Sequence, residues 1–184
     1  MTNEEMRETR LSREEIFDGR VVHLTRDTVR LPDGNTSTRE VIWHRGAVCV
    51  VPVTDDGEVI LVEQFRYPFD CVLLEIPAGK PEAGEDDREA AARRELAEET
   101  GFRAGEMICL GDYYGSPAIL AERITMYLAR RLTPGETHPD ADEFLRVKKL
   151  PLKTAVRMVL AGKIPDGKTQ AAILRAAMTA EAAP

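Results

Sequence analysis

Three carboxylates crowd into five positions at Glu95, Glu98 and Glu99, in the run Arg94-Glu95-Leu96-Ala97-Glu98-Glu99-Thr100-Gly101-Phe102. An α-helix advances about 100° per residue, so Glu95 and Glu99 share one face and Glu98 lies beside them. Like charges at this spacing weaken a helix by about a few tenths of a kcal/mol per pair. A hard divalent cation compensates: Mg²⁺ takes oxygen ligands and is held by a few carboxylates together with substrate phosphates. The stretch therefore reads as a metal platform for diphosphate chemistry. The plainer alternative is a solvated, Glu- and Ala-rich face on which Arg93 and Arg94 pair with the acids. The surroundings favour the platform. A Gly-containing loop leads in at Pro77-Ala78-Gly79, and Glu85 precedes the helix. Thr100-Gly101 ends it, Gly being the usual residue just past a helix end.

The elements that must hold this platform can be read coarsely. The carboxylate helix covers about 87–100. Residues 1–15 are charged and are expected to be frayed or helical. Residues 16–30 and 38–45 read as a β-ribbon, split by the turn Pro32-Asp33-Gly34-Asn35. Ala47-Val-Cys-Val-Val-Pro-Val has the continuous apolar run of a strand buried on both faces. Asp55-Asp56-Gly57 turns the chain into a returning strand from Val59, and Val72–Ile76 is a short strand running into the Gly loop. Strands follow near 106–114, 123–130 and 143–149, then helices from Pro151 to about Gly162 and from Asp166 to about Ala180. A mixed sheet between helices fits this order.

At 184 residues the chain is one domain, or one domain with a small appendage, the latter expected as 1–45 and 46–184. A net charge of −7 and a pI near 5.1 argue against nucleic-acid or anionic-membrane partners. No apolar run reaches the length of a membrane span, and Met-Thr-Asn-Glu-Glu is not a signal peptide. A cytoplasmic enzyme is the expectation. Cys49, Cys71 and Cys109 are odd in number and lack metal-site spacing; Cys49, in an apolar run, reads as a reduced core thiol.

The loop and helix together resemble the Nudix box, G-x5-E-x7-R-E-U-x-E-E-x-G-U, where U is a bulky apolar residue. Gly79 and Glu85 match its first half, and Arg94, Glu95, Leu96, Glu98, Glu99, Gly101 and Phe102 its second. There is one departure: eight residues, not seven, separate Glu85 from Arg94. In the loop the extra residue changes nothing catalytic; inside the helix it rotates Glu85 by about 100°. The resemblance implies an α/β/α sandwich with a mixed sheet and a small N-terminal β-ribbon that helps form a homodimer. It also implies catalysis with Mg²⁺, for which Mn²⁺ can substitute. Glu95, Glu99 and the Ala78 carbonyl are the expected ligands, Glu98 bridges or stands behind them, and Arg94 orients the carboxylates.

Within that superfamily the chain looks like an ADP-ribose pyrophosphatase. Pro117 stands sixteen residues after Gly101, in Tyr113-Tyr114-Gly115-Ser116-Pro117, though Ala118 replaces the Gly usual after it. The plainer reading of Gly-Ser-Pro is turn chemistry. Glu63-Gln64-Phe65-Arg66-Tyr67-Pro68 looks like the substrate-contacting segment, and the planar fork of Arg66 suits a diphosphate. Leu74–Gly79 matches the strand and loop before the box, where Glu75 orients other groups. The resemblance also supplies a base from an acidic loop, here 134–143, with Glu143 the first choice and Asp142 and Asp140 after it. His138 in the same loop reads as merely exposed. Phe17, Arg39 and Trp43 are candidates to stack on a nucleobase, and equally serve as packing within the ribbon. The expected reaction is hydrolysis of ADP-ribose to AMP and ribose 5-phosphate. The alternatives are GDP-mannose, a dinucleotide polyphosphate, or a sensor that binds without cleaving.

Overall fold

A computed structural model describes residues 2–82, 84–138 and 143–181. In chain order its strands begin with β1 (Thr9–Asp18), β2 (His23–Arg30), β3 (Thr36–Trp43), β4 (Ala47–Pro52), β5 (Glu58–Arg66) and β6 (Cys71–Glu75). They continue with β7 (Ala78–Gly79), β8 (Phe102–Tyr113), β9 (Leu120–Ala121), β10 (Ile124–Pro134) and β11 (Leu145–Pro151). The helices are α1 (Arg88–Thr100), α2 (Leu152–Leu160) and α3 (Gly167–Glu181). Two compact units result: Met1–Arg45 with Tyr114–Arg123, and Gly46–Tyr113 with Ile124–Pro184.

The first unit is a sheet in the order β1-β2-β3-β9, antiparallel except where β9 joins β3 in parallel. The expected frayed or helical start is corrected here, because Thr9–Asp18 is a strand. Every residue of β1 is exposed, so it carries none of the apolar alternation that marks a half-buried strand. Backbone pairing to β2 holds it, together with Arg13, which grips Asp27 of β2 at 2.8 and 2.7 Å.

The second unit carries the main core. The strands expected in one mixed sheet divide into two: a four-stranded mixed sheet, β7-β4-β10-β8, and a three-stranded antiparallel one, β11-β5-β6. β4 lies parallel to β10 and buries both its faces, as its unbroken apolar run requires. Cys49 and Val51 pack with Ala155 and Val159 of α2 and Ile173 and Ala176 of α3. Val48 and Val50, pointing the other way, pack with Ala91, Ala92 and Leu96 of α1. The alternation of β4 thus places α1 on one face and α2 and α3 on the other, which is the expected α/β/α layering. Burial pushes the Cys49 thiol up to about 12, so it stays protonated.

Candidate active site

The site grows from how α1 starts. The Asp87 side chain caps the helix, accepting from Glu89 N at 2.9 Å and Ala90 N at 3.1 Å. The extra residue of the box is therefore absorbed at or before the helix start, and Glu85 stands two positions outside the cap. No rotation of Glu85 follows, and its Oε2 accepts from Arg94 Nη2 at 3.2 Å. The helix ends at Gly101, whose φ of 74° is the left-handed geometry of a C-cap.

Arg94 is the hub of the acids. Its Nη1 donates to Glu95 at 3.0 Å and Glu98 at 2.8 Å, and its Nη2 to the Lys80 carbonyl at 3.0 Å. Glu98 is half-buried and held by this fork. Glu95 and Glu99 face inward, at 8% and 6% exposure. Burial pushes Glu95 up to about 7, against the pull of Arg94. Burial also pushes Glu99 up to about 8, with the charges of Glu143 and Glu95 adding to it and the Ala78 backbone hydrogen bond opposing. The charge of Glu143 is felt at both, which puts the favoured base candidate within electrostatic reach of the carboxylates. Asp140 and Asp142 lie outside the described residues.

Two features fit a cation. Among the described residues Glu99 Oε2 is buried without a hydrogen-bond partner, a costly state for a carboxylate oxygen unless a positive charge supplies the contact. Gly79 of β7 is the other: a Cβ there would fall 2.0–2.3 Å from the carboxylate atoms of Glu95, so only glycine lets the β7 backbone lie against it. The donors are all oxygen, the chemistry of a hard divalent ion. Among the described residues no three His, Cys, Asp or Glu side chains form a complete cage. The arrangement is a one-sided shelf, as suits an ion that keeps waters and takes the rest of its ligands from phosphates.

The acidic loop is fastened to this helix. His138 donates its backbone N–H to the Glu98 carbonyl at 2.9 Å. Gly101 and Gly135 cross so closely that a Cβ on Gly101 would sit 2.8 Å from the Gly135 carbonyl oxygen.

Arg66 and Glu75 form a second cluster in the same unit. Arg66 donates Nε and Nη2 to the two oxygens of Glu75, both at 2.7 Å. Glu75 is 2% exposed, and Arg66 and Lys168 hold it ionised below the usual carboxylate range despite its burial. Lys168 had no local signal in the sequence, since its contact with Glu75 spans 93 residues.

The remaining candidates lie in the first unit and form no single cluster there. Trp43 donates Nε1 to Thr25 at 2.9 Å, and the Arg13 guanidinium covers one ring face, 4.3 Å from the centroid. Arg39 grips Glu8 through Nε at 3.0 Å and Nη2. Phe17 is 57% exposed and lies over Gly19. Pro117 is exposed in a turn in which Ile119 N and Leu120 N donate to the Ser116 carbonyl, at 3.1 and 2.9 Å.

Comparison with known proteins places the chain in a family. Residues 43–174 match the NUDIX domain, and residues 8–42 match the nucleoside diphosphate sugar hydrolase N-terminal domain. The chain belongs to the NUDIX family, and with every carboxylate of the box in place it is a Nudix pyrophosphohydrolase. It is 41% identical over 170 residues to an ADP-ribose pyrophosphatase of Bacillus subtilis (strain 168), covering 91% of each chain. It is 42% identical over 168 residues to a methanol dehydrogenase activator of Bacillus methanolicus, covering 90% of each. A crystal structure of an ADP compounds hydrolase superposes with a TM-score of 0.84 at 23% identity, covering 95% of this chain and 94% of that one, a likeness of fold. Enzymes of this family work with a divalent metal ion. Among the described residues no helix is long and apolar enough to cross a membrane.

Proposed function

We propose that the chain hydrolyses the pyrophosphate bond of a nucleoside diphosphate sugar, with ADP-ribose the first choice, giving AMP and ribose 5-phosphate. The observation that carries the chemistry is the pair of buried helix carboxylates, Glu95 and Glu99, with an oxygen of Glu99 that has no hydrogen-bond partner among the described residues. ADP-ribose as the substrate is supported by the similarity to an ADP-ribose pyrophosphatase over nearly the whole chain. GDP-mannose or a dinucleotide polyphosphate would use the same machinery.

Mg²⁺, with Mn²⁺ as a substitute, is our choice of ion, held by Glu95, Glu99 and the Ala78 carbonyl with Glu98 alongside. When bound, it neutralises charge that builds on the phosphate oxygens. The protein's own groups do the rest. Arg94 holds Glu95 and Glu98 in register through its fork. Arg66, fixed by Glu75, binds phosphate oxygens. Glu143 accepts a proton from the attacking water, and the anhydride opens to two phosphate monoesters. Arg39, Phe17, Trp43 and Pro117 are our candidates for the nucleoside end. Of these, Trp43 offers only the ring face that Arg13 leaves open. We further propose a cytoplasmic homodimer, with residues 1–45 as the dimerising and nucleoside-contacting part and 46–184 as the hydrolase domain.

Product analysis tests the reading. The protein is incubated with Mg²⁺ and ADP-ribose, GDP-mannose or a diadenosine polyphosphate, beside a Glu99→Gln variant. AMP and ribose 5-phosphate from ADP-ribose, lost in the variant, support it. Turnover of GDP-mannose alone keeps the mechanism and overturns the substrate. Tight ADP-ribose binding without turnover makes the protein a sensor.

A further inference from the structure

Lys168 is too deeply placed for an ordinary lysine. It stands in the first turn of α3 with its side chain only 12% exposed, and its Nζ donates to Glu75 Oε2 and, at 3.0 Å, to Asp166 Oδ2. Burying an ammonium group is expensive unless it is paired and hydrogen-bonded, so this one is held by a specific set of partners. Asp166 is itself fixed, accepting from Thr169 N at 2.9 Å and from the Thr169 hydroxyl. That hydroxyl in turn accepts from Ile76 N at 3.1 Å, which ties the start of α3 to the residue following Glu75.

Capping α3 needs only Asp166 and Thr169. Lys168 is an addition, and it meets Arg66 Nη2 at the same oxygen, Glu75 Oε2. Arg66, Lys168, Glu75 and Asp166 sum to zero charge, so the cluster can stay desolvated. Remove Lys168, and Glu75 becomes a buried carboxylate facing a single guanidinium whose side chain is 38% exposed and has room to swing. The Lys168 charge is also felt at Glu99, which puts the cluster within electrostatic reach of the helix carboxylates.

We infer that Lys168 is a positioning residue: it braces Glu75 through Oε2, the oxygen it shares with Arg66, so that the Arg66 fork is presented to the substrate phosphates in one orientation. This rests on the reading above that Arg66 binds those phosphates. Lys168 acts through Glu75 and Arg66.

The test is steady-state kinetics on ADP-ribose with Mg²⁺ for the wild type, Lys168→Met, Lys168→Arg, Arg66→Ala and the double variant Arg66→Ala/Lys168→Met. Each protein is first checked for a cooperative thermal transition. Losing an outer support of this kind typically costs about 10–100-fold. The expected result is a KM raised about tenfold in Lys168→Met with kcat within about threefold, the mark of lost ground-state binding. Lys168→Arg should recover most of it. In the Arg66→Ala background, Lys168→Met should add less than about twofold, because the group it supports is gone. An unchanged KM in Lys168→Met beside a raised one in Arg66→Ala overturns the brace, and so do two effects that simply multiply. An unchanged KM in Arg66→Ala overturns the assignment of Arg66, and the brace falls with it. Should Lys168→Met lack a cooperative transition, Lys168→Gln takes its place under the same criteria.

Discussion

Both units bury carboxylates, with opposite consequences. In the first, Asp27 is 6% exposed, and the Arg13 fork and the Thr25 hydroxyl hold it below the usual carboxylate range. In the second, Glu95 and Glu99 are as little exposed but lie deeper, and burial drives them up to about 7 and about 8. Depth and partners together decide the outcome, Asp27 being covered only shallowly and gripped by Arg13. Asp27 has a complete set, which is how a polar group serves a fold. Glu99 has an oxygen with no hydrogen-bond partner among the described residues, which fits the cation proposed above.

That contrast can be broken by substitution. On the proposed metal role, Glu99→Gln should lower kcat/KM by about a thousandfold, while the metal-free protein at neutral pH gains Tm, because the cost of protonating and desolvating that carboxyl goes with it. A lower Tm in the variant would show that Glu99 is structural, like Asp27. Gly79→Ala should cost about a hundredfold in kcat/KM, because the new methyl overlaps the Glu95 carboxylate and must displace it. Retention of wild-type rates would mean that β7 can retreat without disturbing the shelf. Asp27→Asn should do the reverse of Glu99→Gln: a Tm lower by several degrees with kcat nearly unchanged. The emission of Trp43, the single tryptophan, should also change as Arg13 loosens from its ring.

The subtlest separation is by pH. Glu95 and Glu99 rise in the folded protein from an ordinary value of 4.5. Between that value and about 8 the folded state therefore holds more protons than the unfolded one, and stability falls as pH rises. The contribution is complete below 4.5 and gone above about 8. Urea midpoints in the presence of a chelator should show this decline, and the Glu95→Gln/Glu99→Gln double variant should lack it. A divalent ion added at pH 8 should restore stability, because it binds the deprotonated pair of the native state. A decline equal in the double variant would assign it to other groups.

The candidate site was legible where its contacts are local. The spacing of Glu95, Glu98 and Glu99 and the closing Gly101 placed the helix within one residue of α1, since caps and periodicity act over a few positions. The double-faced burial of β4 was equally plain from its unbroken apolar run. β1 was not, because a fully exposed strand is specified by its neighbour rather than by its own pattern. The partition of one expected sheet into two was hidden for a similar reason, as strand partners are chosen over long separations. Lys168 was out of reach altogether: its meaning lies in Glu75, 93 residues away.

The start of β11 sets a leash on Glu143. On one side the chain is tied at His138, and on the other the strand β11 begins at Leu145, two residues beyond Glu143. Two residues span about 7 Å at most. A side chain so close to a strand stays within that reach of it. On the proposal that Glu143 is the base, the reach of the reaction is set by the strand behind it. Substrates of different size would then bring their scissile bond within that radius, and lengthening the chain between Leu145 and Glu143 would widen it before it altered any side chain of the site.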